Sequence, residues 1–123
     1  MREIKFRAWC KFENKMYNKF YIEDHMKFAF MDELIDSAKE RYEIMQFTGL
    51  KDVNGVEIYE SDVVEDYNRN LFTVEYNMFC SFMLYPLKNR EKFLAIYPAI
   101  ELKVIGNIHE NPELLLEEET HDR

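Results

Sequence analysis

Apolar and polar residues alternate along the first part of the chain. One side of the alternation is apolar and consists of Ile4, Phe6, Ala8 and Cys10. The other side is charged apart from one tryptophan and consists of Glu3, Lys5, Arg7, Trp9 and Lys11. A period of two is typical of a half-buried β-strand. The polar residues 13–15 are interpreted as a turn into a second strand over 16–22, which predicts an N-terminal β-hairpin.

A single amphipathic helix is predicted after the hairpin. Its apolar residues recur at the spacing of one helical face and are Met31, Leu34, Ile35 and Ala38. Asp32 is a suitable N-cap, and Lys39 and Arg41 lie where the negative end of the helix dipole favours cations. The pattern therefore predicts a surface helix over about residues 32–41.

The second half of the chain consists of short segments rich in β-branched and aromatic residues. They cover 63–67, 71–77, 80–87 and 101–108, and the spacers between the first three have the length of hairpin connections. The prolines at 86 and 98 lack an amide donor and are expected at strand ends or on an edge. This pattern predicts a mainly β fold, all-β leaning towards α+β, in which a small antiparallel sheet curls like a barrel.

The connections between these strands carry recognisable turn chemistry. Asn54 and Gly55 predict a type I′ hairpin turn, which needs positive φ at both residues. Gly49 is expected to supply an unusual backbone angle where the preceding strand ends. At a reversal over 60–62, the Asp62 carboxylate is expected to cap a nearby amide. The remaining structural-turn residues lie near the C-terminus and are Gly106, Asn111 as an N-cap, and Pro112 as the first residue of a short helical turn.

The composition changes this picture in two ways. With 47% hydrophobic and 33% charged residues in 123, the chain is expected to fold as a single domain with its own core. The net charge of -8 is spread unevenly, since residues 1–20 carry +4 and residues 101–123 carry -5. This dipolar arrangement favours head-to-tail self-association or a basic partner over duplex DNA.

The expected compartment is the cytoplasm, without a membrane partner. No apolar run approaches the roughly 18 residues that cross a bilayer, and the N-terminal residues alternate where a leader peptide would be continuously apolar. Cys10 and Cys80 are far apart and form no C-x-x-C motif, so we expect small buried hydrophobes, and a disulfide between them is not favoured.

No catalytic, metal-binding or cofactor-binding residue is predicted. His25, His109 and His121 match no metal-binding spacing, and the serines lie in no nucleophile elbow. Three scattered glycines cannot build a phosphate loop. Adjacent acids such as Glu65 and Asp66 are far more often a solvated corner than a catalytic pair, so we do not expect an enzyme.

Two sets of residues are candidate contacts. The outward face of the first strand carries Lys5, Arg7, Trp9 and Lys11, and basic residues interleaved with an aromatic ring suit a nucleic acid. In the alternative interpretation, Trp9 packs beneath the helix or in a subunit contact, and the cations bridge to acids of the chain. The second set is a group of acids expected to be exposed at a subunit or partner contact: Asp52, Glu57 and Glu60.

Three blocks of the sequence resemble the YopX family of phage and prophage proteins. They are "MREIKFRAW" at 1–9, "MQFTGLKDVNGVEIYESDVV" at 45–64 and "VIGNIHENPELL" at 104–115. Two positions depart from the family pattern, which usually has Gly at Ser61 and an acidic residue at Cys10. The resemblance implies a phage or prophage origin, self-association, and a core like an SH3-type barrel, but no catalytic residue.

The resulting hypothesis is a single YopX-like domain that acts by binding. Its expected parts are a hairpin and helix at 1–44, a barrel core at 45–116 and an acidic tail at 117–123. We expect a non-catalytic phage or prophage accessory protein that forms a homo-oligomer and contacts a host or phage protein. The alternatives are a nucleic-acid-binding protein, and an acidic protein that mimics phosphate charge to occupy a host nucleic-acid-binding protein.

Overall fold

The predicted mainly β, antiparallel fold is confirmed, and one of its sheets is curled into a half-barrel. The computed structural model describes residues 5–20, 41–77, 81–97 and 100–115, without the side chains of residues 19 and 20. The strands in this part of the chain are β1 (Phe6–Cys10), β2 (Lys15–Phe20), β3 (Tyr42–Lys51), β4 (Glu57–Tyr59), β5 (Asp62–Glu65), β6 (Leu71–Tyr76), β7 (Phe82–Pro86), β8 (Leu94–Ala95) and β9 (Lys103–Asn107). The chain divides into two compact units between Phe47 and Thr48, and the boundary predicted at 44/45 falls inside β3.

In the first unit, β1 is the central strand between β2 and the beginning of β3, and both pairings are antiparallel. The predicted N-terminal hairpin is therefore confirmed. Ala8 and Cys10 are fully buried, as the alternation predicts for the inward side of β1. Asn14 closes the hairpin turn with a left-handed φ of 52°. The predicted helix at 32–41 lies outside the described residues except for its last residue.

The second unit is built on a five-stranded sheet with the order β8-β7-β6-β5-β9. Neighbouring strands in this sheet are antiparallel throughout, which is the arrangement expected from hairpin-length connections. Pro86 is the last residue of β7, at a strand end as predicted. The buried core of this unit consists of Ile58, Val64, Phe72, Val74, Leu84 and Leu102.

The turn at 52–56 differs from the predicted type I′ hairpin. Gly55 has a positive φ of 81°, but Asn54 is not among the described non-glycine residues with positive φ. The Gly55 N–H donates to the Asp52 carbonyl at 3.0 Å, which is the pattern of a type I turn followed by a left-handed glycine. Gly49 also has the expected unusual angle, with φ 90°, but it lies within β3 and not at its end.

The reversal at 60–62 lies where the sequence predicts it, between β4 and β5. Ser61 has a φ of 72°, a backbone conformation that costs an L-residue about 1–2 kcal/mol. The residue is held there because its N–H donates to the Val74 carbonyl at 2.7 Å and its carbonyl accepts from Ile108 N–H at 3.0 Å. A side chain is thus tolerated at a position that favours glycine.

Replacing Ser61 by glycine is expected to raise the free energy of unfolding by about 0.5–1 kcal/mol. Glycine removes the left-handed strain, and the greater entropy of the unfolded glycine chain offsets part of the gain. Urea denaturation followed by circular dichroism measures the change. Ser61→Ala is the matched control, because it removes the hydroxyl and keeps the strained backbone. Equal stability of the glycine and alanine variants would show that the strain is no larger than the entropy cost of glycine in the unfolded chain.

The end of the described chain is organised by Asn107, whose side chain is buried. Its Oδ1 accepts the N–H groups of His109 at 3.0 Å and Glu110 at 2.8 Å, so it closes the turn after β9. The predicted helical turn follows at 113–115. At the predicted N-cap, the Asn111 carbonyl accepts Leu114 N–H, but its side-chain Oδ1 faces back and accepts Asn107 N–H at 3.2 Å.

Candidate functional site

The basic face of β1 is less available than the sequence predicts. Arg7 is buried, with 7% of its surface exposed, so its predicted outward exposure is wrong. The physical reason is that both faces of β1 are covered. Arg7 shares its face with Met45 of β3, which is 2% exposed, and Ala8 and Cys10 on the other face are buried as well. Trp9 is half-buried, opposite Met16 on one side and Glu43 on the other.

The two lysines of this face already contact groups of the same unit. Lys11 Nζ lies 3.4 Å from the Glu43 carboxylate. Lys5 Nζ lies 4.9 Å from the centre of the Phe47 ring. The contact between Lys11 and Glu43 is of the kind expected in the alternative interpretation, in which the cations bridge to acids of the chain. The buried Arg7 interrupts the predicted basic and aromatic stripe.

The hairpin end of the same unit holds a polar cluster around Arg41. The Tyr17 hydroxyl donates to Glu13 Oε1 at 2.9 Å. This hydrogen bond is the main cause that lowers the pKa of Glu13 and raises the pKa of Tyr17. A hydrogen bond with the Cys10 side chain is the main cause that raises the pKa of Arg41. Arg41 Nη2 also lies 3.7 Å from Glu13 Oε1, which joins the guanidinium to the pair formed by Glu13 and Tyr17.

Asp52 is a structural residue and not an exposed contact. Its side chain is only 8% exposed, so the predicted exposure is wrong. Oδ1 accepts the N–H groups of Asn54 at 2.8 Å and Val56 at 2.9 Å, and Oδ2 accepts the N–H of Val104 at 2.8 Å. The carboxylate turns inward because these three amides have to be satisfied, and it joins the 52–56 turn to β9 across 52 residues of sequence.

The pKa of Asp52 lies below its ordinary value as the balance of opposing effects. Burial is the largest single effect and raises the pKa, since it disfavours the charged form. The hydrogen bonds from Val104, Val56 and Asn54 and the charge of Lys103 lower it, and together they outweigh the burial. The ionised form is therefore the one that the fold stabilises.

The two other predicted contact acids and the predicted turn residue Asp62 lie at or close to the reversal at 60–62. Glu57 accepts the Tyr59 hydroxyl at 3.3 Å and is half-buried, as is Glu60. Asp62 is 1% exposed, and its Oδ2 accepts Tyr59 N–H at 2.8 Å. The predicted capping by Asp62 is confirmed.

A second aspartate loop repeats the geometry of the first, and sequence reasoning missed it. Asp66 Oδ1 accepts the N–H groups of Asn68 and Asn70, both at 2.9 Å. Arg69 N–H donates to the Asp66 carbonyl at 3.0 Å, and Arg69 has a left-handed φ of 65°, where Gly55 at the equivalent place in the first loop has a φ of 81°. The sequence carries the pattern Asp-x-Asn at 52–54 and again at 66–68. The two loops share the aspartate and not the glycine.

The residue after each aspartate is exposed and apolar. Val53 is 59% exposed and Tyr67 is 80% exposed. Both border a groove of about 250 Å³, which we call the aspartate-loop groove. Its other lining residues are Glu65, Asp66, Arg69, Glu101, Leu102 and Lys103. The groove therefore combines an apolar and aromatic surface with charges of both signs.

No arrangement of side chains in the described residues suggests metal binding. Within 5–20, 41–77, 81–97 and 100–115, no three His, Cys, Asp or Glu side chains are grouped so that they could hold a metal ion. His109 takes part in the turn at 107–111, whereas His25, His121 and Cys80 lie outside the described residues. No helix in the described part is long and apolar enough to cross a membrane.

Comparison with known proteins identifies a family and a similar structure. A family model described as YopX protein matches residues 5–116. The crystal structure of protein EF1440 from Enterococcus faecalis is similar to this chain, with a TM-score of 0.54 and 28% sequence identity. The match covers 94% of this chain and 99% of that chain. Among curated proteins, none matches.

Proposed function

Because the chain belongs to the YopX family, we propose that it is a non-catalytic phage or prophage accessory protein that binds a protein partner and assembles with copies of itself. The phage origin is supported by the resemblance of the three sequence blocks. The partner site that we propose is the aspartate-loop groove, and the partner is a host or phage protein in the bacterial cytoplasm.

The observation that carries this proposal is that Val53 and Tyr67 are both exposed and line the same groove. Each is the first residue after a turn aspartate whose carboxylate binds two amides of its own loop. A loop held in this way loses little conformational entropy when it binds, which strengthens association. Exposed tyrosine beside arginine is also the composition typical of protein-binding surfaces, and Arg69 lines the same groove.

A nucleic acid is less well supported as the partner. That alternative depends on an exposed basic and aromatic face, and Arg7 is buried. The aspartate-loop groove carries three carboxylates, from Glu65, Asp66 and Glu101, against two cations. Phosphate groups would be repelled by this balance of charge.

The proposed site is tested by affinity capture from a nuclease-treated bacterial lysate. The variant with Val53→Ser and Tyr67→Ser is expected to capture about one tenth or less of the partner that the unchanged chain captures. The reason is that truncation of an anchoring tyrosine weakens binding strongly. Both side chains are exposed, so the fold is retained. The matched control is Val56→Ser with Tyr97→Ser, which changes one exposed valine and one exposed tyrosine that do not line the groove.

Equal capture by the groove variant and the control would contradict the proposed site. A partner that is itself a nucleic-acid-binding protein, and that is released by DNA or by salt, would instead favour the acidic phosphate-mimicking alternative.

A further inference from the structure

A second groove lies at the other side of β6 and differs in character from the aspartate-loop groove. It has a volume of about 250 Å³, and its floor is apolar. The apolar lining residues, which we call the floor, are Leu71 and Phe72 of β6, Pro86 of β7 and Leu94 of β8, and Asn70 is a further, polar lining residue. Lys88 and Lys92 also line it, and we call it the lysine groove.

The charge of the lysine groove is opposite to that of the chain. Its lining residues, all in the described part, include two lysines and no carboxylate, whereas the whole chain carries -8. Leu71, Pro86 and Leu94 are each half-buried and so leave apolar surface at the groove. A segment with a large apolar side chain and several carboxylates fits this surface. A phosphate backbone fits it less well, because it makes no favourable contact with the apolar floor.

The chain carries such a segment at its C-terminus. Residues 116–123 read "LEEETHDR", a leucine followed by three consecutive glutamates. They follow the last described residue, Leu115, and eight residues span up to about 26 Å when extended. The segment is therefore long enough to reach a neighbouring molecule.

A head-to-tail contact between copies requires two different surfaces, and the lysine groove and the attachment point of the segment lie at different strands of the sheet. The lysine groove is formed by β6, β7 and β8, on one side of the five-stranded sheet, and β9 is the strand at the opposite edge. The C-terminal segment follows β9. We propose that residues 116–123 of one copy bind the lysine groove of a second copy, with Leu116 on the apolar floor and Glu117–Glu119 beside Lys88 and Lys92.

This contact rests on the proposed self-association and gives it a geometry. A tail that binds a different surface of the next copy makes a heterologous, head-to-tail contact, which closes into a ring or extends as a filament. The attraction between carboxylates and lysines is screened by salt. The assembly is therefore expected to dissociate as the ionic strength rises.

The proposal is tested by reversing the charges on each side and then mixing the two proteins. The groove variant carries Lys88→Glu and Lys92→Glu, and the tail variant carries Glu117→Lys, Glu118→Lys and Glu119→Lys. Each variant alone is expected to self-associate at least about tenfold more weakly than the unchanged chain, because like charges then meet. An equal mixture of the two is expected to regain association, because each tail then meets a groove of opposite charge.

Light scattering after size exclusion measures the mass, against 15.0 kDa for one chain. The matched control is Lys15→Glu with Lys51→Glu, which makes the same change of charge at exposed lysines that do not line the groove. Circular dichroism of every variant confirms folding, and Lys92→Glu alone tests the groove with a single exposed side chain.

Three outcomes would overturn the contact. If both variants keep the mass of the unchanged chain, self-association stands but does not use this groove. If the unchanged chain is a monomer at micromolar concentration, self-association and this contact both fail, whereas partner capture by the aspartate-loop groove is tested independently. If the groove variant keeps its mass but loses binding to a labelled single-stranded oligonucleotide, the lysine groove is a nucleic-acid site.

Discussion

Asp52→Ala is expected to lower the free energy of unfolding by about 3 kcal/mol. The change removes a carboxylate that accepts three backbone N–H groups and is only 8% exposed. Hydrogen bonds to a charged group contribute about 1.5–3 kcal/mol each in isolation, and a buried amide left without an acceptor costs about 1–3 kcal/mol. Entry of water into the opened turn reduces the total. Urea denaturation followed by circular dichroism measures the loss.

The second aspartate loop supplies a matched control within the same chain. Asp66 accepts the equivalent two amides, from Asn68 and Asn70, but it is less buried. Asp66→Ala is therefore expected to cost about 1 kcal/mol, close to the loss of an ordinary turn cap. The difference between the two variants measures the bond to Val104 and the burial of Asp52, less the side-chain bond from Asn70 that only Asp66 accepts. Equal losses would show that the link between the turn and β9 adds nothing to stability.

The acid response gives a second readout of the same carboxylate. The pKa of Asp52 is lower in the folded chain than the value of about 4 of an unfolded aspartate. Its ionisation therefore stabilises the fold fully above that unfolded value, and the contribution is lost as the pH falls through the lower, folded pKa. Asp52→Asn removes the titration, so its stability should depend less steeply on pH in this acid range than that of the unchanged chain.

The local features of this fold follow from the sequence because they depend on neighbouring residues. The alternation at 4–10 correctly predicts β1 and its buried Ala8 and Cys10. The reversal at 60–62 and its capping by Asp62 are likewise set by a few adjacent residues. Propensity and short-range hydrogen bonding are sufficient at these places.

The side-chain roles depend on partners that are distant in sequence, and there the predictions are wrong. Arg7 is buried because the face of β1 that it shares with Met45 is covered as well as the face of Ala8 and Cys10, and Asp52 is buried because β9 brings Val104 to its carboxylate. A charged residue in an alternating strand predicts a solvent-facing side chain only if no neighbouring strand or loop covers that face. For the candidate site, the sequence predicts the position of the first loop, but it predicts neither the second loop nor the exposure of Val53 and Tyr67 at one groove.

At the turn over 54–55, the aspartate that precedes the Asn-Gly pair determines the turn type. Asn-Gly predicts a type I′ turn, but the aspartate two residues earlier accepts both the Asn54 and the Val56 amides. These bonds favour a type I turn in which only Gly55 is left-handed. The same carboxylate geometry at 66–70, with an arginine in place of the glycine, indicates that the aspartate determines the loop.

Gly106→Ala is expected to lower the free energy of unfolding by about 2–3 kcal/mol. A Cβ at this position would lie 2.5 Å from Asn111 Oδ1, 2.8 Å from its Cγ and 3.1 Å from its Cβ. Rotation of the asparagine relieves the first two contacts but gives up its bond to the Asn107 amide. The third contact requires movement of the backbone. Overpacking costs about 1–3 kcal/mol and a lost hydrogen bond about 1 kcal/mol.

A double-mutant cycle separates this clash from other effects of alanine in β9. Asn111→Gly removes the whole obstructing side chain and has its own cost, because it also removes the bond to Asn107. In that background, Gly106→Ala is expected to cost little, since alanine is favoured over glycine within a strand. The interaction energy between the two changes should be about 2 kcal/mol, measured by urea denaturation. Simple additivity would mean that Gly106 is required for a reason other than the close approach of Asn111.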